Sequence, residues 1–289
     1  MVIAMTARPV HEFLLRLARH DGFEPLSDAK MVSLGARDHH VVIAEDDAVV
    51  AVGSVASHTH IGGRHFAMEI AVDPSMRFQA FEIAVLEATT TLVPVGERMS
   101  VWSQQSSTDR ALDQIGYEVR RSLHYMSVVL PLSAERTPLA GSTVLRSYIP
   151  NDDTSIVTVN NDAFRAHREA GQLSVDEMKG LTSESWFDPP GLLVAETESG
   201  ISGFCWTRIH PNGDGEIFRI AVDPSNQSDG LGRTLVEAGF AYLSDVRGIK
   251  RGTLWVDADN DHATALYRSL GMQIERTNRE FEPVGQPKR

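Results

Sequence analysis

Cysteine is all but missing from the 289 residues, with Cys205 alone, so no internal disulfide can form and a reducing, cytoplasmic setting is expected. Clustered positive charge is lacking as well. Acidic residues outnumber basic ones by 39 to 27, for a net charge of −12, and no block of Lys or Arg makes the stripe that nucleic acid requires. No apolar run approaches the roughly 20 residues that span a bilayer. The short run from Met1 to Met5 has no basic residue before it and is cut by Arg8 and His11, unlike a signal peptide. Neither a nucleic acid nor a membrane is an expected partner, and a monomer is. The eleven histidines, among them His39, His40, His58, His60 and His65, come without H-E-x-x-H or Cys/His ligand spacing. They read as polar residues of loops and strands, with no metal site.

What is present is a repeat. Ile70-Ala71-Val72-Asp73-Pro74-Ser75 recurs letter for letter as Ile220-Ala221-Val222-Asp223-Pro224-Ser225, and the same offset pairs Gly53 with Gly203, His60 with His210, and Glu87-Ala88 with Glu237-Ala238. A hexapeptide that carries its flanks along predicts two related domains of ordinary size. The Pro-containing stretch from Pro131 to Ser142 reads as the linker. Within each half a helical segment, His11 to Arg19 or Thr154 to Arg165, precedes paired strands, Val41 to Glu45 with Val49 to Val55 and Leu192 to Glu196 with Ile201 to Ile209. In the second half Leu235, Ala238, Gly239 and Tyr242 fall at helical spacing, Thr253 to Asp257 reads as a strand, and a last helix runs from Asp261 to Leu270, capped by Asn260 and stopped by Gly271. The expected fold class is α/β (α+β), a mixed central sheet flanked by helices in each half.

After the second copy of the hexapeptide comes Gln227-Ser228-Asp229-Gly230-Leu231-Gly232-Arg233, a glycine-bearing turn entering a helix. Such a turn suits phosphate: N–H groups at a helix start are unpaired, the dipole favours negative charge, and glycine lets the backbone approach the ligand. Arg233 adds a charge. The segment resembles the Q-x-x-G-x-G/A motif of the GNAT superfamily of N-acetyltransferases. Asp259-Asn260, Ala263, Leu266-Tyr267 and Leu270-Gly271-Met272 resemble that family's closing strand and helix. The resemblance implies two tandem GNAT-type domains, acetyl-CoA as co-substrate, and no metal. It places the pantetheine arm along Ile220, Ala221 and Val222, the pyrophosphate on Gln227 to Arg233, and further cofactor contacts on Asn260, Asp261, His262, Ala263, Thr264 and Ala265.

Acetyl transfer to an amine requires a neutral amine, a polarised carbonyl and a proton for the leaving thiolate. Glu216 begins the central strand and, by period-two alternation, shares a face with Phe218 and Ile220; it is the expected general base. Tyr267 matches the family's proton donor to coenzyme A, and backbone N–H groups near Ala221 and Val222 are expected to meet the developing oxyanion.

Further strings, Trp186-Phe187-Asp188-Pro189, Gly203-Phe204, Trp206-Thr207, His210-Pro211 and Gly215-Glu216, resemble the mycothiol synthase family, which acetylates the cysteinyl amine of cysteinyl-glucosaminyl-inositol. That likeness implies a small thiol-bearing amine as partner, held by Glu169, Arg208, Glu216 and Trp255, with Asp28 reaching over from the first half. Arg208 stands where the family pattern has lysine and Trp255 where it has tyrosine, which changes donor geometry at both positions. Another small amine, a protein N-terminus, or acyl-CoA binding without turnover are the alternatives. The offset of the repeat sets Arg77 against Gln227, Ala80 against Gly230, Glu82 against Gly232 and Phe66 against Glu216, and aligning Gly116 with Gly271 sets Leu112 against Tyr267. Residues 1–135 are therefore expected to form a degenerate, non-catalytic copy that buttresses the catalytic domain, residues 140–289.

Overall fold

The structure, a computed structural model, describes residues 7–27, 40–46, 48–60, 63–133, 137–139, 142–165, 173–226 and 230–285. Asp28, Glu169, Gln227, Ser228 and Asp229 lie outside the described residues. The chain forms two compact units, Met1–Leu123 with Thr277–Arg289, and His124–Arg276.

The first unit holds helix α1 (Ala7–Asp21), strands β1 (His40–Glu45), β2 (Ala48–His60) and β3 (Gly63–Val72), helix α2 (Phe81–Thr90), β4 (Arg98–Ser103), α3 (Ser106–Gln114), the first part of β5 (Tyr117–Val129) and the end of β11 (Gln273–Pro283). Its strands lie in the order β1-β2-β3-β4-β11-β5, with β3 and β4 parallel. Apolar residues at 10, 13, 14 and 17 make one stripe of α1, and Val10, Leu14 and Leu17 bury it against Val42, Val52 and Ala71. On the opposite face Val85, Leu86 and Leu112 pack with Met68, Val101 and Phe281.

The second unit repeats this plan. It comprises the rest of β5, β6 (Val144–Ser147), α4 (Asp153–Ala163), α5 (Val175–Thr182), β7 (Leu192–Thr197), β8 (Gly200–Ile209), β9 (Gly215–Val222), α6 (Leu231–Ala241), β10 (Arg251–Asp257), α7 (Asp261–Ser269) and the start of β11. The strand order is β11-β5-β10-β9-β8-β7-β6. Helices α6 and α7 cover one face through Leu235, Val236, Phe240, Tyr267 and Leu270, which meet Cys205, Ile217 and Leu254. Helices α4 and α5 cover the other through Ile156, Val159 and Met178, which meet Phe204, Trp206 and Ala221. A Cβ on Gly239 would meet Cys205 Sγ at 2.6 Å, so glycine lets α6 lie flush on β8.

The unit boundaries differ from a simple cut at residues 135–140. Tail strand β11 crosses back into the first unit, where Arg279 pairs with Ser103 and Phe281 with Val101, and Phe281 is buried in that unit's core. In exchange, Met126 and Leu130 of β5 join the core of the second unit. Neither crossing has a turn motif to announce it. The expected linker is also engaged: the Glu237 carboxylate accepts the Thr137 N–H at 2.6 Å.

The repeated hexapeptide has the same structure twice. Asp73 Oδ1 accepts from Ser75 N at 3.0 Å and from Ser75 Oγ at 2.6 Å, and Asp223 Oδ1 does the same with Ser225 at 2.8 and 2.6 Å. These bonds to the charged form hold the Asp223 carboxyl below its ordinary range. The motif therefore closes a strand end, and the two units diverge on either side of it.

Candidate active site

The first divergence is in β9. Its ladder with β8 runs Ile209↔Gly215, Arg208↔Glu216, Thr207↔Ile217 and then Trp206↔Arg219, which leaves Phe218 as a bulged extra residue. The equivalent pair β2/β3 runs without a shift from Ala51↔Val72 to His60↔Gly63. A bulge reverses the alternation beyond it. Glu216 accordingly shares a face with Arg219 and Ala221 and not, as strict alternation predicts, with Ile220. Phe218 stays on the Glu216 face, with its ring 5.6 Å from that of Trp206.

A second divergence follows from the first. Parallel pairing of β3 with β4 extends over five pairs, His65↔Arg98 to Glu69↔Trp102. Between β9 and β10 it starts at the equivalent residue and covers three, Gly215↔Gly252 to Ile217↔Leu254. The bulge bends β9 away at Phe218, and Phe218–Val222 and Trp255–Asp257 lie beyond the last pair. Backbone groups released from a ladder form an edge that an extended ligand can join.

On one face of this opening the ladder sets Arg208 beside Glu216 and Glu216 beside Thr253, with Trp255 next on the same face of β10. Three of the residues assigned to the acceptor are thus brought together. The Glu216 side chain is 9% exposed and accepts a hydrogen bond from His210 Nε2 at 2.8 Å. The Arg208 guanidinium lies 4.8 Å from the centre of the Trp186 ring, which also approaches Phe218 at 5.1 Å. Arg219, buried next to the bulge, donates to Asn160 Oδ1 at 3.2 Å; its burial lowers its pKa. Trp255 stacks on Tyr125 at 4.9 Å, and Arg276 lies 3.5 Å over Tyr125.

On the other face is Tyr267, buried in α7 among Cys205, Ile217 and Leu254. Cys205 is the ladder partner of Ile220, so the tyrosine sits on the side of the pantetheine strand opposite Glu216. Burial pushes its pKa up to about 12, which keeps the phenol protonated and able to donate. The same burial pushes the Cys205 thiol up to about 12, as befits a packing residue. One turn earlier in α7 the Thr264 hydroxyl is buried without a partner among the described residues. Asn260 Oδ1 accepts the Ala263 N–H at 3.0 Å, and Gly271, at φ +89°, ends the helix, both as the sequence predicts. Asp261, His262 and Ala265 are exposed along its start.

At the start of α6, Gly230 is left-handed at φ +76°, and a Cβ on Gly232 would find only Val222 Cγ2 within 4 Å, at 3.9 Å. As first-turn residues, Leu231, Gly232 and Arg233 have N–H groups without an intrahelical partner. Arg233 is held by Glu237, at 3.1 Å, and by Ser269. In the first unit Glu82 fills the equivalent place, 1% exposed, and its Oε1 accepts the N–H of Phe78 at 3.0 Å.

Residues 158–272 match the model of the acetyltransferase (GNAT) family. The mycothiol acetyltransferase of Thermomonospora curvata is 32% identical over 88% of this chain and 85% of its own length, and that of Renibacterium salmoninarum 32% over 87% and 79%. The chain belongs to the mycothiol acetyltransferase family. It is, with that family, an acetyl-CoA-dependent N-acetyltransferase built as two tandem GNAT-type units. The fold is shared with a GCN5-related N-acetyltransferase from Sphaerobacter thermophilus, at TM-score 0.79 and 20% identity over 100% of this chain and 96% of that one. It is shared also with a tandem GNAT protein from the clavulanic acid biosynthesis pathway, at 0.72 and 13% over 100% and 99%.

Sequence reasoning set His210 among the polar loop residues and gave Trp186 no contact. The hairpin signal for His210 was there, since a turn with Pro211 and Gly213 folds a residue just before it onto one just after. No sequence signal marks Trp186 apart from its aromatic neighbours. Among the described residues no helix is long and apolar enough to cross a membrane, and no group of three His, Cys, Asp or Glu side chains is placed to hold a metal.

Proposed function

We propose that this chain transfers the acetyl group of acetyl-CoA to the cysteinyl amine of cysteinyl-glucosaminyl-inositol, forming mycothiol, and that the second unit alone performs the transfer. The observation that carries the reading is the open ladder, with a buried carboxylate on one face and a protonated phenol on the other. Acetyl-CoA supplies a thioester carbonyl. Residues Ile220, Ala221 and Val222 hold its pantetheine as an added strand, Gln227 to Arg233 hold the pyrophosphate, and Asn260 to Ala265 line the arm. The backbone N–H of Val222 polarises the carbonyl oxygen, whereas that of Ala221 points to β8, on the same side as the Asp223 N–H that donates to Ser202. The acceptor reacts as the neutral amine, and Glu216 takes a proton from its nitrogen as the C–N bond forms. Tyr267 gives its proton to the sulfur as the C–S bond breaks. Arg208 and Trp255 flank the acceptor, with Glu169 and Asp28 as its further contacts.

The first unit keeps the strand Ile70-Ala71-Val72 but lacks the base, the acid and the glycine turn. Glu82 occupies its phosphate turn, Leu112 stands in place of Tyr267, and its ladder runs two pairs further, to Glu69↔Trp102. The acceptor is assigned from the named relatives together with the cationic and aromatic lining of the Glu216 face. To test it, purified protein is incubated with acetyl-CoA and cysteinyl-glucosaminyl-inositol beside glucosamine, an aminoglycoside and a peptide N-terminus, and products are located by mass spectrometry. Acetylation of the cysteinyl nitrogen is expected. Acetyl on sulfur, or transfer only to another amine, overturns the assignment.

A further inference from the structure

The Glu216 side chain is buried, 9% exposed, at the start of β9. Its Oε2 lies 2.8 Å from His210 Nε2. An ionised carboxylate only accepts, so the shared hydrogen belongs to Nε2. We infer that His210 is a positioning residue for the acetyl transfer: by donating to Oε2 it fixes the Glu216 side chain and sustains its ionised form, leaving Oε1 to take the proton of the acceptor amine. The inference rests on Glu216 being the base.

The imidazole is held for this task by the hairpin turn between β8 and β9. The backbone N–H of His210 donates to the Asp214 carbonyl at 2.9 Å, and the His210 carbonyl accepts from Gly213 N at 2.9 Å. Gly213 takes the left-handed φ of +89°, Asn212 Oδ1 accepts from Asp214 N at 3.0 Å, and the Asp214 carboxylate is tied to Arg251. Arg251 continues to Glu275 at 2.6 Å. At 27% exposure the ring reaches solvent, which gives the buried carboxylate a polar link outward. Among the described residues the charged groups near the pair include Arg208, beside Glu216 in the ladder, Arg219 on the same face, and Asp214, Arg251 and Glu275, already engaged with one another.

The test compares the pH dependence of kcat/KM for wild type, H210A, H210N and H210Q, with E216Q as reference. Gln carries an N–H donor near the reach of Nε2, whereas Asn is too short. In H210A and H210N the acidic limb is expected to move to higher pH by about one unit, and kcat at neutral pH to fall about tenfold. The KM for acetyl-CoA should stay unchanged. H210Q is expected to restore the wild-type limb. An unmoved limb in H210A and H210N, with E216Q inactive, overturns the role of His210 while leaving Glu216 as base. An E216Q variant with full turnover removes the base itself and the inference with it. Melting curves establish which of the two donor-less variants is folded at the assay temperature, and that variant decides.

Discussion

In the first unit the Glu82 carboxylate accepts the backbone N–H of Phe78 at 3.0 Å, across the turn whose counterpart in the second unit carries Gly230 and Gly232. Its second oxygen is buried with no partner among the described residues. An internal carboxylate thus lies where the second unit's turn has Gly232, and satisfies an amide of the turn that leads into the helix. Replacing it by alanine strands that amide and should cost about 1–3 kcal/mol of stability, seen as a lower melting temperature. Acetyl-transfer kcat below the melting range should be unchanged, because the first unit does no chemistry. A loss of kcat in the folded E82A protein would count against that division of labour.

Glycine at 232 is a requirement of the ligand more than of the fold. The space around its absent Cβ holds nothing closer than Val222 at 3.9 Å, so G232A should melt close to wild type. Its KM for acetyl-CoA should rise about tenfold, equivalent to about 1.4 kcal/mol, since the methyl stands where the backbone must approach the pyrophosphate. G232E, which imports the residue of the first unit, should abolish saturation. Initial-rate kinetics against acetyl-CoA distinguish the two.

Tyr267 is the proton donor in this account, and Y267F should lower kcat about 100-fold with little change in either KM. With its pKa pushed up to about 12, the phenol stays protonated through the range in which most enzymes are assayed, so its ionisation should place no alkaline limb on kcat below about pH 11. The same shift has a sign for stability. The unfolded phenol ionises near 10.0 and the folded one near 12, so its contribution is complete below pH 10 and is lost as pH rises through the folded value. Denaturant unfolding of wild type against Y267F between pH 9 and 12 measures this directly.

Arg208 stacks on Trp186 at 4.8 Å, a contact that the planar guanidinium makes better than an ammonium does. R208K and W186A should each raise the acceptor KM about two- to tenfold, the range of a partly desolvated cation–π contact. Their effects should be less than additive, because each removes the same contact. A double-mutant cycle on the acceptor KM gives the answer.

Much of this site was legible in the sequence, for particular reasons. The hexapeptide repeat located both strand ends because Asp73 and Asp223 make the same cap, and the contrast of Gly230 and Gly232 with Ala80 and Glu82 located the turn where the two units differ. Asn260 and Gly271 bounded α7 through local chemistry alone. The bulge at Phe218 was not legible. A single inserted residue leaves no compositional trace, yet it reverses the face of every residue beyond it and opens the ladder. Likewise β11 returns to the first unit through long-range pairs such as Phe281 with Val101, which no local pattern records.

The central claim is that one of the two units has a ladder open from Phe218 and a glycine turn able to hold acetyl-CoA, and that in the other the ladder runs two pairs further and a carboxylate fills the turn. Isothermal titration of the intact chain with acetyl-CoA tests it most directly. Binding of one equivalent per chain, abolished by G232E, is the predicted result. Two equivalents, or one that survives G232E, would contradict it.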